Sequence, residues 1–209
     1  MYAQNDEDGI IMEYVSKNLP AEIPKTILDI GANDGKTLSN SLLAIEGGFE
    51  AVLVEPCYAV FEKLKHLHKG NPKVHAFQYA ICDKSGWADF YASGKMLGEQ
   101  DLSLVSSLKD EETKKWREAG VDYSKTKVRT RSWSDFLNED SPLKQFTVVS
   151  IDAEGYDYDI LIQIDLTAIG CRMLIVEYNG EEREKYVAYA SNHGMKLMSF
   201  NAENLIFIK

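Results

Sequence analysis

Five acidic residues stand at or just beyond the ends of apolar runs. They are Asp29 in TILDIGANDG (26–35), Glu55 in AVLVEP (51–56), Asp152 and Glu154 in FTVVSIDAEG (146–155), and Glu177 in RMLIVE (172–177). An apolar run that closes on an acid and opens into glycine reads as a buried strand feeding a helix. Ligands of an open parallel sheet bind outside the carboxyl ends of its strands, so these acids would gather at one sheet edge. A single acid there is commonly a helix cap, but four strand ends in succession are harder to explain by capping. Like charges held close raise one another's pKa unless a cation or hydrogen-bond donors lie between them. The chemistry expected is capture of a ligand that brings positive charge or several donors.

The first two runs describe a nucleoside pocket. Gly31 and Gly35 let the backbone approach a ligand closely, and Glu55 stands where a ribose would present two hydroxyls to one carboxylate. A dinucleotide asks for G-x-G-x-x-G with its pyrophosphate on a helix N-terminus. Here the turn is G-x-x-x-G, with Asp29 before it and Asp34 inside it. Two carboxylates repel a pyrophosphate and suit the methionine end of S-adenosylmethionine (SAM). The bland reading is a tight strand-to-helix turn with Asp34 as N-cap. A divalent cation on Asp152, Glu154 and Glu177 is a further candidate, since hard cations prefer oxygen ligands.

These elements belong to a chain of 209 residues, 44% hydrophobic and 27% charged, as expected for one globular domain (1–209) with a substantial core. The net charge of −10 argues against a polyanionic partner, so no nucleic acid is expected. Cys57, Cys82 and Cys171 are scattered and suit a reducing compartment. No apolar segment reaches about 18 residues, and MYAQNDEDGI lacks the basic start of a signal peptide. A cytoplasmic location and no membrane contact are the expectations. The four histidines form no metal-ligand pair, and there is no G-x-S-x-G elbow.

Strand-like runs alternating with helical patterns predict an α/β sheet. The predicted elements are an N-terminal helical segment (1–24, helix at 6–18), strand 26–30, helix 35–45, strand 51–55 and helix 56–68. Strands 74–80 and 87–91 follow. Residues 93–126 are polar and turn-rich with one short helix near 110–118, and they read as a substrate lid. Then come strand 128–131, helix 134–137, strand 146–151, a helix to 164, strand 172–177, helix 181–192 and a closing hairpin over 195–208.

Taken in order, several blocks resemble the FkbM family of SAM-dependent methyltransferases. DIGANDG (29–35) is similar to its first glycine motif, VEP (54–56) to its second-strand acid, and AICDKSG (80–86) to the segment after its third strand. SIDAEGYDYDIL (150–161) resembles its D-x-E-G block, VEYN (176–179) its fifth-strand block, and AQNDEDGII (3–11) the segment preceding its core. The resemblance implies a three-layer α/β/α, Rossmann-like class I methyltransferase sheet, mostly parallel and seven-stranded with an antiparallel last strand. It also implies methyl transfer from SAM to a hydroxyl of a sugar or natural-product-like small molecule. By position, Asp29, Gly31, Asn33 and Gly35 would line the methionine end and Glu55 would hold the ribose. Asp83 would accept from the adenine amino group with Cys82 beside it, and Asp152 and Glu154 would face the methyl and its acceptor. Gln4 and Asp8 are weaker candidates for the rim. The polar 93–126 segment is where the resemblance ends, so the acceptor does not transfer with it. The competing readings are a non-catalytic SAM- or nucleoside-binding module and an NAD-dependent oxidoreductase on a similar sheet.

Overall fold

The apolar runs form strands because both of their faces are covered, which favours continuous apolar sequence over alternation. The computed structural model describes residues 1–94, 103–180 and 182–209. The strands are β1 (Thr26–Ile30), β2 (Glu50–Val54), β3 (Val74–Phe77), β4 (Ala80–Cys82), β5 (Gly86–Ser93), β6 (Tyr123–Ser132), β7 (Val148–Ile151), β8 (Met173–Glu177), β9 (Lys196–Phe200) and β10 (Asn204–Ile208). The helices are α1 (Glu7–Asn18), α2 (Leu42–Glu46), α3 (Tyr58–Leu67), α4 (Asp110–Glu118), α5 (Trp133–Asp135), α6 (Asp157–Leu161) and α7 (Arg183–Asn192), with a π-helical turn at Phe136–Asp140.

Seven strands make one sheet in the order β3-β2-β1-β7-β8-β10-β9. The pairings from β3 to β8 are parallel, and β10 runs antiparallel to both β8 and β9. The expected sheet, with its last strand antiparallel, is what forms. Side-chain alternation divides the core. Leu28, Ile30, Val52, Val54, Val149 and Ile151 face a layer containing Trp133, Phe136, Ile160 and Tyr186. Ile27, Ala51, Leu53 and Val148 face α1, α2 and α3 through Ile11, Tyr14, Ile45, Phe61 and Leu64. Among the described residues no helix is long and apolar enough to cross a membrane.

Three expectations need correction. The strand expected at 74–80 divides: β3 ends at Phe77, and β4 joins a second, three-stranded sheet in the order β4-β6-β5. Tyr79 lies at the break, 4% exposed, with its ring against Phe77 and Phe136; burying that ring turns the chain out of the first sheet. The helix expected from Gly35 shortens to α2, because the Asp34 carboxylate accepts from the Lys36 and Thr37 N–H groups and Leu38 takes φ +54°. A side chain that satisfies nearby N–H groups offers the backbone an alternative to the helix. Both ends of the 93–126 segment prove to be strand, since β5 and β6 pair from Gly86↔Thr130 to Ser93↔Tyr123. Part of that segment, 95–102, lies outside the described residues.

Candidate active site at the strand ends

Strand register sets the floor of the site. Val54 pairs with Ile30, Ile30 with Ile151, and Ile151 with Val176. The next residue of each strand is Glu55, Gly31, Asp152 and Glu177, so three of the expected acids leave the sheet at one level, with glycine among them. Gly31 has φ +89°, and a Cβ there would lie 1.7 Å from the Asp152 carbonyl oxygen. No side chain fits there, so the close approach of the chain just beyond the parallel neighbours β1 and β7 requires glycine.

Two of the acids are answered by the chain itself. Glu55 is 6% exposed; its carboxylate accepts from the Asn33 N–H at 3.0 Å and the Cys57 N–H at 2.6 Å. Burial pushes its pKa up to about 7 against those two bonds, with Asp29 adding to the rise. Asp29, two residues before Gly31 of the level row, accepts from the Ser41 hydroxyl at 2.5 Å; burial raises it to about 6.

The D-x-E-G block is a clasped turn. Asp157, at the start of α6, accepts from the Ala153 N–H at 2.6 Å and the Gly155 N–H at 2.9 Å. Within this clasp Glu154 is held at φ +49° and Gly155 at φ +93°. A non-glycine residue in the left-handed region is uncommon and persists where its surroundings over-determine it. Carboxylate oxygens of Asp152, Asp157 and Glu177 lie within 4.8 Å of one another, so like-charge repulsion favours a proton or a cation among them. Burial and then Asp157 raise Asp152 to about 8, while burial and then Asp152 raise both Glu154 and Glu177 well above the usual carboxylate range. Asp157, also buried, rises to about 6.

A cavity of about 320 Å³ opens over this floor, the size of a small-molecule cleft. One side is apolar, with Pro56, Tyr79, Ile81 and Phe90. The far side carries Gln4, Glu7, Asn179, Glu203 and Asn204, and the cover is Ser103–Ser106, Leu108 and Trp116. The cover is tied to the D-x-E-G turn: the Ser107 hydroxyl donates to the Glu154 carbonyl and the Lys109 ammonium to the Gly155 carbonyl, both at 2.7 Å. Acids line the cavity throughout, and among the described residues no Lys, Arg or His does.

Asp29, Gly31, Asn33, Glu55, Asp152, Glu154 and Glu177 all reach this cavity, and so does Gln4. Gly35 instead packs toward Leu64 and His68 at α3. Cys82 is buried at the end of β4 with its thiol toward the Lys84 carbonyl, and Asp83 is reached through the Tyr156 hydroxyl at 3.5 Å; neither lines the cavity. Asp8 is fully buried and holds the Tyr2 and Gly9 N–H groups. Asp157, Glu7 and Trp116 join the site although none of them is among the residues expected from sequence. Asp157 had a signal, an acid in the first turn of a helix directly after the D-x-E-G block. Glu7 and Trp116 had none, since long-range folding alone brings them to the cavity.

Over residues 29–200 the sequence matches the family described as the Methyltransferase FkbM domain. No curated protein sequence matches the chain. The fold is similar to that of an FkbM methyltransferase from Methylobacillus flagellatus KT (TM-score 0.55, 11% identity, covering 94% of this chain and 46% of that one). It is also similar to precorrin-6y C5,15-methyltransferase from Geobacter metallireducens GS-15 (TM-score 0.50, 10% identity, covering 97% and 87%). The chain thus spans just under half the length of the first of these structures. With the family match extending from the first glycine turn to the end of β9, across the level acids and the clasped D-x-E-G turn, this chain belongs to the FkbM methyltransferase family.

Proposed function

We propose that the protein transfers a methyl group from SAM to a hydroxyl oxygen of a sugar or natural-product-like small molecule. The observation that carries this reading is the level row Glu55, Gly31, Asp152 and Glu177 beneath a cavity whose wall holds acids and, among the described residues, no cation. That wall fits a ligand bearing a sulfonium and an ammonium. SAM would supply an electrophilic methyl on a positively charged sulfur, its C–S bond breaking as the acceptor oxygen bonds to the methyl carbon, with the neutral thioether as leaving group.

The nucleoside end is preorganised. Asn33 and Cys57 fix Glu55 through backbone N–H groups, leaving its remaining lone pairs for two ribose hydroxyls. Asp29, Gly31 and Asn33 receive the methionine end, and Gly35 shapes their turn from behind. Pro56, Tyr79 and Ile81 form an apolar slot for the base, with Asp83 and Cys82 at its outer margin. Much of the rate comes from holding the acceptor oxygen in line with the methyl and sulfur. Asp152 takes the hydroxyl proton as the new C–O bond forms, and Glu154 is assigned beside it. A carboxyl raised to about 8 is a stronger base than an ordinary carboxylate once ionised. The 103–118 cover excludes water as a substrate lid.

A second role for the same acids is favoured by one distance. Carboxylate oxygens of Asp152, Asp157 and Glu177 lie within 4.8 Å of one another, close to the about 4–5 Å across a Mg²⁺ or Ca²⁺ coordination sphere. Asp157 stands in this group in place of Glu154, the third ligand expected from sequence. A chelator separates the two roles, because loss of turnover restored by Mg²⁺ assigns the acids to a metal and unchanged turnover assigns Asp152 as base. The overall reading is tested with methyl-labelled SAM and a panel of sugar and polyol acceptors. Transfer of label to an acceptor oxygen supports it. Cofactor binding without transfer to any acceptor instead supports the non-catalytic binding module.

A further inference from the structure

The carboxylates around the cavity differ in what answers them. Glu7 accepts from the Asn201 and Asn204 side-chain amides and from the Asn5 N–H, and Glu203 accepts from the Asn5 amide. Asp29 and Glu55 have the hydroxyl and backbone donors described above. Glu177 is 6% exposed, lines the cavity, and its Oε2 has no hydrogen-bond partner. The Glu154 carboxylate likewise receives no hydrogen bond from the described residues. The nearest lysines are committed outside the cavity: Lys109 to the Gly155 carbonyl and Asp159, and Lys115, whose charge reaches Glu154, to Glu112 at 3.8 Å.

A buried carboxylate oxygen without a donor is costly, and persists where a ligand completes it. The cofactor brings a sulfonium and an ammonium against one carboxylate, a single net positive charge that the acids beneath its own end absorb. A neutral sugar brings hydroxyl donors and no charge. We propose that the acceptor carries a protonated amine near the hydroxyl that is methylated, with Glu177 and Glu154 holding the ammonium and Asp152 facing the hydroxyl. The chemical class is an amino sugar or an aminocyclitol. Charge-assisted hydrogen bonds from an ammonium to two carboxylates are among the stronger polar contacts. This inference rests on the methyltransferase reading and narrows its substrate class.

Matched amine and alcohol pairs test it, with the intact protein saturated with S-adenosylhomocysteine in EDTA. The pairs are methyl glucosaminide against methyl glucoside, and an aminocyclitol against the corresponding inositol, titrated by calorimetry. The expected result is at least a tenfold preference for the amine in one pair or more. In Glu177→Gln the preference falls to within about threefold, and S-adenosylhomocysteine affinity falls by less than the preference does. Glu154→Gln, at a partly exposed position, gives a smaller fall and keeps the test open if the first variant folds poorly. Absence of an amine preference, absence of binding in every pair, or a preference untouched by both substitutions overturns the proposal. A preference that requires Mg²⁺ in place of EDTA also overturns it, because a metal then occupies the ammonium's position. Failure of the wild-type protein to bind S-adenosylhomocysteine strikes the cofactor reading instead.

Discussion

The two ends of the cavity are both acidic, yet their acids are held in opposite ways. At the nucleoside end, Glu55 rests on two backbone N–H groups and Asp29 on the Ser41 hydroxyl. At the far end, Glu177 keeps an unpartnered buried oxygen and lies within 4.8 Å of the Asp152 and Asp157 carboxylates. Donors from the chain fix a carboxylate in place before any ligand arrives. Carboxylates that face one another must share protons or await a positive ligand. The first arrangement is an anchor and the second is a reactive or selective surface, so substitutions at the two ends should separate binding from turnover.

The largest effect is expected at Asp152. Asp152→Asn should lower turnover by about 10²- to 10⁴-fold, the usual contribution of a positioned base. Calorimetry should find S-adenosylhomocysteine affinity within a few-fold of wild type, and near-normal turnover would remove Asp152 from its role. Glu55→Ala should do the reverse. Losing two hydrogen bonds to a charged group, at about 1.5–3 kcal/mol each, weakens cofactor binding by about 10²-fold or more. The amine-to-alcohol preference at the far end should survive it.

Smaller effects probe the clasp. Asp157→Asn replaces one acceptor oxygen with an amide that faces an N–H, so the turn bearing Glu154 loosens. Expected are a loss of about 1–3 kcal/mol in a denaturant melt and a fall in turnover larger than any change in cofactor affinity. Wild-type stability in that variant would show that the clasp does not hold the turn.

How legible all this was in sequence depended on how local the determinants are. β1, β2, β7 and β8 are short apolar runs buried on both faces, and such runs declare themselves without knowledge of their partners. Their register follows once they are adjacent, so the level row of acids was readable in outline. The small sheet was not, because β4 has three residues and β6 reads YSKTKVRTRS, largely polar and exposed. The pairing of β6 with β5 decides its structure, and pairing is not a local property. Ser107 and Lys109, which tie the cover down, meet the site through contacts more than thirty residues distant in sequence. The left-handed Glu154 depends on Asp157, a relation visible only in three dimensions.

The smallest expected effect concerns pH. Asp29, Glu55, Asp152 and Asp157 have folded pKa values of about 6, 7, 8 and 6 against ordinary values of 3.8 to 4.5. In that window the folded chain binds more protons than the unfolded one, so stability falls as pH rises from about 4 to about 8. The ligand-free protein should therefore show a Tm a few degrees lower at pH 8 than at pH 5. A bound cationic ligand should flatten that slope, and a Tm that rises across the interval would contradict the assignment of these groups.

The contrast between the two ends is tested most directly by one calorimetric comparison: S-adenosylhomocysteine titrated into the wild type, Glu55→Ala and Glu177→Gln. Expected are micromolar binding to the wild type, a loss of about 10²-fold or more in Glu55→Ala, and a much smaller change in Glu177→Gln. Absence of binding to the wild type, or equal losses in both variants, would contradict it.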